Sequence, residues 1–171
     1  DYQFSLWTKK GYLLRLRNGL YAFARDADKI RPEEVAYFLY QPSYISLESA
    51  LSAHGLIPEI VYTHTSVTAR GNRRFDNHFG GFIYRHIKKE LFWGYMPVRT
   101  DTGFYLMAEP EKALLDYLYL NLGRLRSQAD FDAIRLNPDQ LRDQLNPDKF
   151  RTYLSAFNIK KLTRWAGQCL A

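Results

Sequence analysis

Arg15, Arg17 and Asn18, at and beside the Asn18-Gly19 dipeptide, open a set of residues whose types suit one kind of chemistry, contact with phosphate. Guanidinium groups present forked donors that match phosphate oxygens, whereas lysine acts as a mobile point charge. Lys9 and Lys10 precede the dipeptide, Arg70, Arg73 and Arg74 form a second group, and Lys88 and Lys89 a third. Together these ten residues are the candidate nucleic-acid contacts. Lys160, Lys161 and Arg164, at helical spacing, are placed to face nucleic acid, a partner protein or water, and form a weaker candidate partner surface. Residues 1–31 hold seven Lys/Arg against three Asp, net +4, and residues 70–90 hold six against two acids, again +4. Residues 32–69 have four Glu and no Lys or Arg, net −4. Cations gathered in this way predict salt-dependent binding, because each neutralised phosphate releases condensed counterions.

Enzyme chemistry has thinner support. His54, His64, His78 and His86 are scattered and lack metal-ligand spacing with Cys or carboxylate. Glu48, Glu111, Lys112 and Asp116 assemble on paper into a nuclease-like acidic and lysine cluster, but no metal-binding signature joins them. Their structural reading is simpler: Glu109 and Glu111 begin a helix at its positive end, and Asp116 caps or bridges on its polar side. The sequence has no nucleophile elbow, phosphate-binding glycine loop or dinucleotide fingerprint. The expectation is a non-enzyme without catalytic residues, metal or cofactor.

The chain has 171 residues, 46% of them hydrophobic and 16% aromatic, with a net charge of +6, enough for one or two small domains with real cores. Its single cysteine, Cys169, rules out an internal disulfide framework and fits a reducing compartment. No apolar run approaches the length of a membrane span and no secretory pattern opens the chain, so a cytoplasmic protein is expected. The chain begins with Asp1 rather than Met, which suggests native residues before it.

The candidate residues need elements to hold them. Phe4, Leu6 and Trp7 suit a short helix stopped by Gly11. Asn18-Gly19 reads as a type I′ turn between strands Tyr12–Arg17 and Leu20–Phe23. Alternation then sends Tyr12, Leu14 and Leu16 to one face and Leu13, Arg15 and Arg17 to the other. Pro32 starts a helix ending near Pro42, and Ser43 to Gly55 continues as a second helix with Ser46 placed to cap it. Strands follow at Ile60–Arg70, Gly80–Ile87 and Gly103–Ala108, with Arg70, Arg73 and Arg74 in a loop and Leu91–Asp101 as a curved connection or short edge strand. The aromatic segment Leu91–Pro97 suits either the core or a partner site. Pro110 begins the clearest helix, and Asn137-Pro138 and Asn146-Pro147 open two more in a helical tail broken near Asn158.

The ordered series Trp7–Tyr21 (WTKKGYLLRLRNGLY), Pro42–Glu59 (PSYISLESALSAHGLIPE), Tyr62–Thr68 (YTHTSVT), Phe82–Lys88 (FIYRHIK) and Pro110–Asp116 (PEKALLD) resembles the AbiEi family of antitoxin-type transcriptional regulators over most of residues 4–120. The resemblance implies an α+β chain with a truncated N-terminal winged-helix remnant over residues 1–28, made of the end of a recognition helix and a wing hairpin. An AbiEi-like antitoxin domain over residues 29–171 would follow, a small mixed sheet packed with helices and a helical C-terminal tail. It also implies double-stranded operator DNA as partner and repression of the chain's own operon. The opposed partner would be a nucleotidyltransferase-like toxin of a type IV toxin–antitoxin or phage-defence system, not necessarily bound directly. A complete winged helix needs helices ahead of the recognition helix, and these would lie before Asp1. A homodimer is the general expectation for paired operator half-sites. The alternatives are a protein-interaction module without sequence-specific DNA binding and, more remotely, a metal-dependent nuclease-like enzyme.

Overall fold

A computed structural model describes residues 2–170. Helix α1 (Tyr2–Lys9) closes at Gly11, whose φ of +76° lets the Gly11 and Tyr12 amides return to the Thr8 and Trp7 carbonyls at 3.0 and 2.9 Å. The hairpin of β1 (Leu13–Arg17) and β2 (Leu20–Phe23) follows. Its turn departs from type I′, because Gly19 takes a positive φ and Asn18 does not. Pairing steps from Arg15↔Tyr21 to Arg17↔Leu20, so Leu16 is an extra, bulged residue. The bulge breaks the expected alternation: Leu13 and Leu16 are buried, while Arg15 and Arg17 stay exposed. The Leu16 carbonyl, displaced from the ladder, accepts from Asn77 Nδ2 at 3.2 Å, which docks the hairpin on the rest of the chain.

The remaining elements are α2 (Pro32–Leu39), β3 (Ser43–Ile45), α3 (Leu47–Ala53), β4 (Thr63–Thr68), β5 (Arg73–Asn77), β6 (Gly80–His86), β7 (Tyr95–Arg99), β8 (Phe104–Ala108), α4 (Pro110–Leu120), α5 (Gln128–Asp132), α6 (Pro138–Gln144), α7 (Pro147–Phe157) and α8 (Lys160–Gly167). Six strands form a mixed sheet in the order β5-β6-β4-β3-β8-β7, so the chain is α+β with a small sheet and packed helices. Two segments differ from the sequence expectation. Ser43–Ile45 is a fully buried central strand, antiparallel to β4 and parallel to β8, and not the start of a helix. Only Ser46 separates it from α3; Leu47, at φ +57°, makes the reversal in a region that a branched side chain seldom adopts. Arg73–Asn77 is a strand at the sheet edge, not a loop.

Strand β6 lies between β4 and β5, so the Ala69–Asn72 turn must span it. Side chains secure this turn: Tyr40 OH donates to the Gly71 carbonyl at 3.1 Å, the His86 amide to Asn72 Oδ1 at 2.7 Å, and His86 Nδ1 meets the Arg70 carbonyl at 2.8 Å. Across the sheet, α2 accepts Tyr84 OH at its Ala36 carbonyl, while α3 and α4 pack the other face around Tyr44 and Val67. The asparagine caps behave as expected, Asn137 Oδ1 accepting from Asp139 and Gln140 and Asn146 Oδ1 from Asp148 and Lys149. Asn158 ends α7 at φ +50°. Among the described residues no helix is long and apolar enough to cross a membrane.

Candidate nucleic-acid interface

The docked hairpin and the β5 edge enclose an open cleft of about 780 Å³ lined by Arg15, Arg17, Asn18, Arg70, Arg73 and Arg74, with Asp76 as the one carboxylate. The cleft thus joins two cationic groups more than fifty residues apart in sequence. Arg15 donates to Asn18 Oδ1 and Arg17 Nη1 to the Asn18 carbonyl at 3.2 Å, so the turn itself aims both guanidiniums. Arg70 lies over the Tyr40 ring at 4.4 Å and donates to the Gln41 carbonyl at 3.1 Å. Among the described residues Arg15, Arg17, Arg70 and Arg73 make no ion pair, whereas Arg74 grips Asp76 at 3.1 and 3.4 Å. That carboxylate holds the exposed Arg74 above its ordinary value.

On the other side of the hairpin tip, Phe4, Thr8 and Lys9 share a groove of about 830 Å³ with Arg15, Asn18 and Tyr21. Phe4 stacks on Tyr21 at 5.2 Å and fixes α1 to the hairpin. Because Arg15 and Asn18 border both hollows, Lys9 and the arginine cleft form one cationic face crossed by the hairpin tip. Lys10, Lys88 and Lys89 are exposed but line neither hollow; the last two follow β6. Lys160, Lys161 and Arg164 sit on α8, where Lys161 Nζ donates to the Leu122 carbonyl at 2.6 Å and Arg164 lies over Trp165.

The acidic and lysine cluster considered as a nuclease centre divides. Lys112 and Asp116 are fully buried and paired, so Asp116 has no solvent-facing polar side. Lys112 Nζ also donates to Tyr44 OH at 2.8 Å, and Asp116 Oδ2 accepts from Tyr44 OH at 2.8 Å and Ser46 Oγ at 2.9 Å. Ser46 thus spends its hydroxyl on Asp116 and gives α3 no side-chain cap. Burial pushes Asp116 up, Lys112 down and the Tyr44 phenol well up; the charges and hydrogen bonds of the cluster oppose the first two shifts. Rings of Tyr44, Trp93 and Phe157 surround the ammonium at 5.4, 4.9 and 5.4 Å, so Trp93 of the aromatic Leu91–Pro97 segment serves the interior. Tyr95 stacks on Tyr44 at 4.8 Å. Glu111 instead accepts from the Asn146 amide at 2.8 Å, and Glu48 borders a separate hollow. Among the described residues no group of His, Cys, Asp and Glu is placed to hold a metal ion. His54 Nε2 meets the Ala108 carbonyl at 2.8 Å, and His64 stacks on Phe82, where burial lowers its pKa. Burial likewise pushes the Cys169 thiol up to about 12, which suits packing rather than reactivity.

Phe38, Tyr40 and Gln41 are among the cleft residues that sequence reasoning missed. The sequence reads Val35, Ala36, Phe38 and Leu39 as one apolar face of this helix, whereas Phe38 stands at the cleft and leaves the burial to the other three. No protein-family model matches the chain, and no curated protein matches it.

Proposed function

We propose that the chain is a DNA-binding regulator of the antitoxin type, with Lys9, Arg15, Arg17, Arg70 and Arg73 as its principal phosphate contacts. The observation that carries this reading is the meeting of the hairpin arginines with those of the Ala69–Asn72 turn and β5 on one face, four of them without an acidic partner among the described residues. Guanidiniums without an acidic partner keep their charge available, which suits a polyanion better than an acidic patch of a few residues. The winged-helix reading of α1 and the hairpin has support from a second feature: Trp7, Tyr12 and Phe23 leave an apolar hollow of about 430 Å³ of the kind that further helices cover. The order of the AbiEi-like motifs supports operator repression and opposition to a nucleotidyltransferase-like toxin.

The test is a salt-titrated shift assay with DNA from the promoter region of the chain's own operon. Arg15→Ala with Arg17→Ala is expected to weaken binding and flatten the dependence of log K on log salt by roughly 0.9 for each phosphate left without its cation. Unchanged affinity and slope would remove the hairpin from the interface. A protein-interaction reading has its own observation: Ile60 and Tyr62, 77% and 85% exposed, stand beside an apolar hollow bordered by Glu48 and Glu59. Tight binding of the toxin, abolished in Tyr62→Ala and kept in the arginine variant, would favour it.

A further inference from the structure

We propose that the arginine cleft receives a single unpaired nucleotide, its phosphate held by Arg17, Arg70 and Arg73 and its base laid against Phe38. This rests on the reading that the cationic face meets nucleic-acid phosphates and goes further by naming the form of the ligand. Three observations carry it. The cleft is an open concavity of about 780 Å³, within the roughly 300–1,000 Å³ of small-ligand sites, so one nucleotide fits inside it. Its wall contains an aromatic side chain that the fold leaves half-exposed: Phe38 is 47% exposed, with Tyr37 and Phe104 both edge-on to it at 5.1 and 6.4 Å. The bases of a duplex are stacked on one another and cannot lie on this ring, whereas an unstacked base can. Finally, Gln41 and Asn18 line the same space; the Asn18 Oδ1 is taken by Arg15, but its amide N–H groups and the Gln41 amide are of the type that pairs with a base edge.

The unit has two sources, an unpaired nucleotide of a strand or a free nucleotide. Fluorescence anisotropy with the full chain, a labelled thymidine 12-mer and a labelled duplex of equal length separates the cases. Phe38→Ala is expected to weaken the single strand roughly five- to tenfold and to leave the duplex within about twofold. Phe38→Leu keeps apolar contact with Tyr37 and Phe104; it should melt like the parent chain and still show the weaker single-strand binding. Displacement of the 12-mer by AMP, but not by equal inorganic phosphate, assigns a site that takes free nucleotides. Displacement by an unlabelled single strand and not by AMP assigns a strand. The proposal is overturned if inorganic phosphate competes as well as either, or if Phe38 variants bind single strand like the parent. Salt-insensitive duplex binding with the Phe38 effect intact would instead count against the operator reading alone.

Discussion

Two charged regions of this molecule use ionised side chains to opposite ends. In the core, Lys112 and Asp116 are each 0% exposed and satisfy one another with help from Tyr44 and Ser46. In the cleft, Arg15, Arg17 and Arg70 remain in solvent with neutral acceptors for company, and Arg73 remains in solvent with no partner among the described residues. The buried pair has already replaced its water and can serve only the fold. The exposed set keeps its hydration and its charge, so it has free energy to gain from a phosphate that arrives later. Substitutions should therefore separate cleanly, those in the core changing stability and those in the cleft changing binding.

The largest effect belongs to Asp116→Asn, which leaves the Lys112 ammonium buried without its counter-charge. Breaking a buried pair from one side costs about 3–5 kcal/mol, read as a lowered urea midpoint. Joint replacement, Lys112→Met with Asp116→Leu, should recover part of that stability, since no isolated charge is left, while the buried Tyr44 and Ser46 hydroxyls lose their partners. A single variant as stable as the parent would mean that the core pair is not desolvated. Next is Gly94→Ala. Gly94 has φ +78°, and a Cβ there would lie 2.8 Å from Lys112 Cγ and 3.0 Å from its Cβ, the stem of a side chain whose far end is fixed. Overpacking with backbone strain of this kind destabilises by about 1–3 kcal/mol. The same midpoint measurement checks it, and a neutral result would show that Lys112 can shift within its ring of aromatics.

Glu34 is an intermediate case, buried yet held by neutral donors. Burial alone would raise its pKa, but hydrogen bonds from Thr100, from Thr102 at 2.7 Å and from the Arg31 amide at 3.1 Å carry it below the ordinary 4.5. These bonds tie the β7–β8 turn to the start of α2. A carboxyl with a depressed folded pKa contributes stability that is complete above its unfolded value and fades as pH falls through the folded one. Glu34→Gln should therefore be less stable than the parent by about 1–2 kcal/mol at pH 7, and the gap should narrow below pH 4.5. Thermal unfolding from pH 7 to pH 3 reads both; a gap independent of pH would assign Glu34 a packing role only.

Local chemistry was legible in the sequence, and long-range pairing was not. Gly11 stops α1, Asn137-Pro138 and Asn146-Pro147 open their helices and Asn158 closes α7, each through hydrogen bonds or backbone turns within a few residues. The hairpin was legible too, though its bulge was not, because Leu16 is displaced toward Asn77 of a distant strand. Strand β3 has three residues, too few for a periodic signal beside an apparent helix. In β5, RRFDN lacks apolar alternation because an edge strand buries little. Lys112 and Asp116 stand four apart, the spacing of an exposed helical ion pair. A hint against that reading is the run Ala113, Leu114, Leu115 between them, which leaves α4 little room for a polar face. The cleft itself was partly legible: the arginines could be named, but their convergence depends on where β5 lies.

The smallest expected change in stability distinguishes two arginines within the cleft. Arg73 has no partner among the described residues, so Arg73→Ala should leave stability within about 0.5 kcal/mol. Arg70→Ala removes the Tyr40 stacking and the Gln41 bond, and about 0.5–1 kcal/mol is expected. In binding the two should lower the salt slope equally, by roughly 0.9 each if each meets one phosphate. They should differ in affinity at fixed salt. Arg70 is already oriented and gives up little side-chain freedom when it meets a phosphate, while Arg73 must be ordered by the ligand, so removing Arg70 should weaken binding more. Equal slopes with unequal affinities would show that the interior sets how well the cleft binds, through Tyr40 and the turn it secures. Equal affinities would leave charge alone in control, and an unchanged slope for both would remove the Ala69–Asn72 turn and the start of β5 from the phosphate surface.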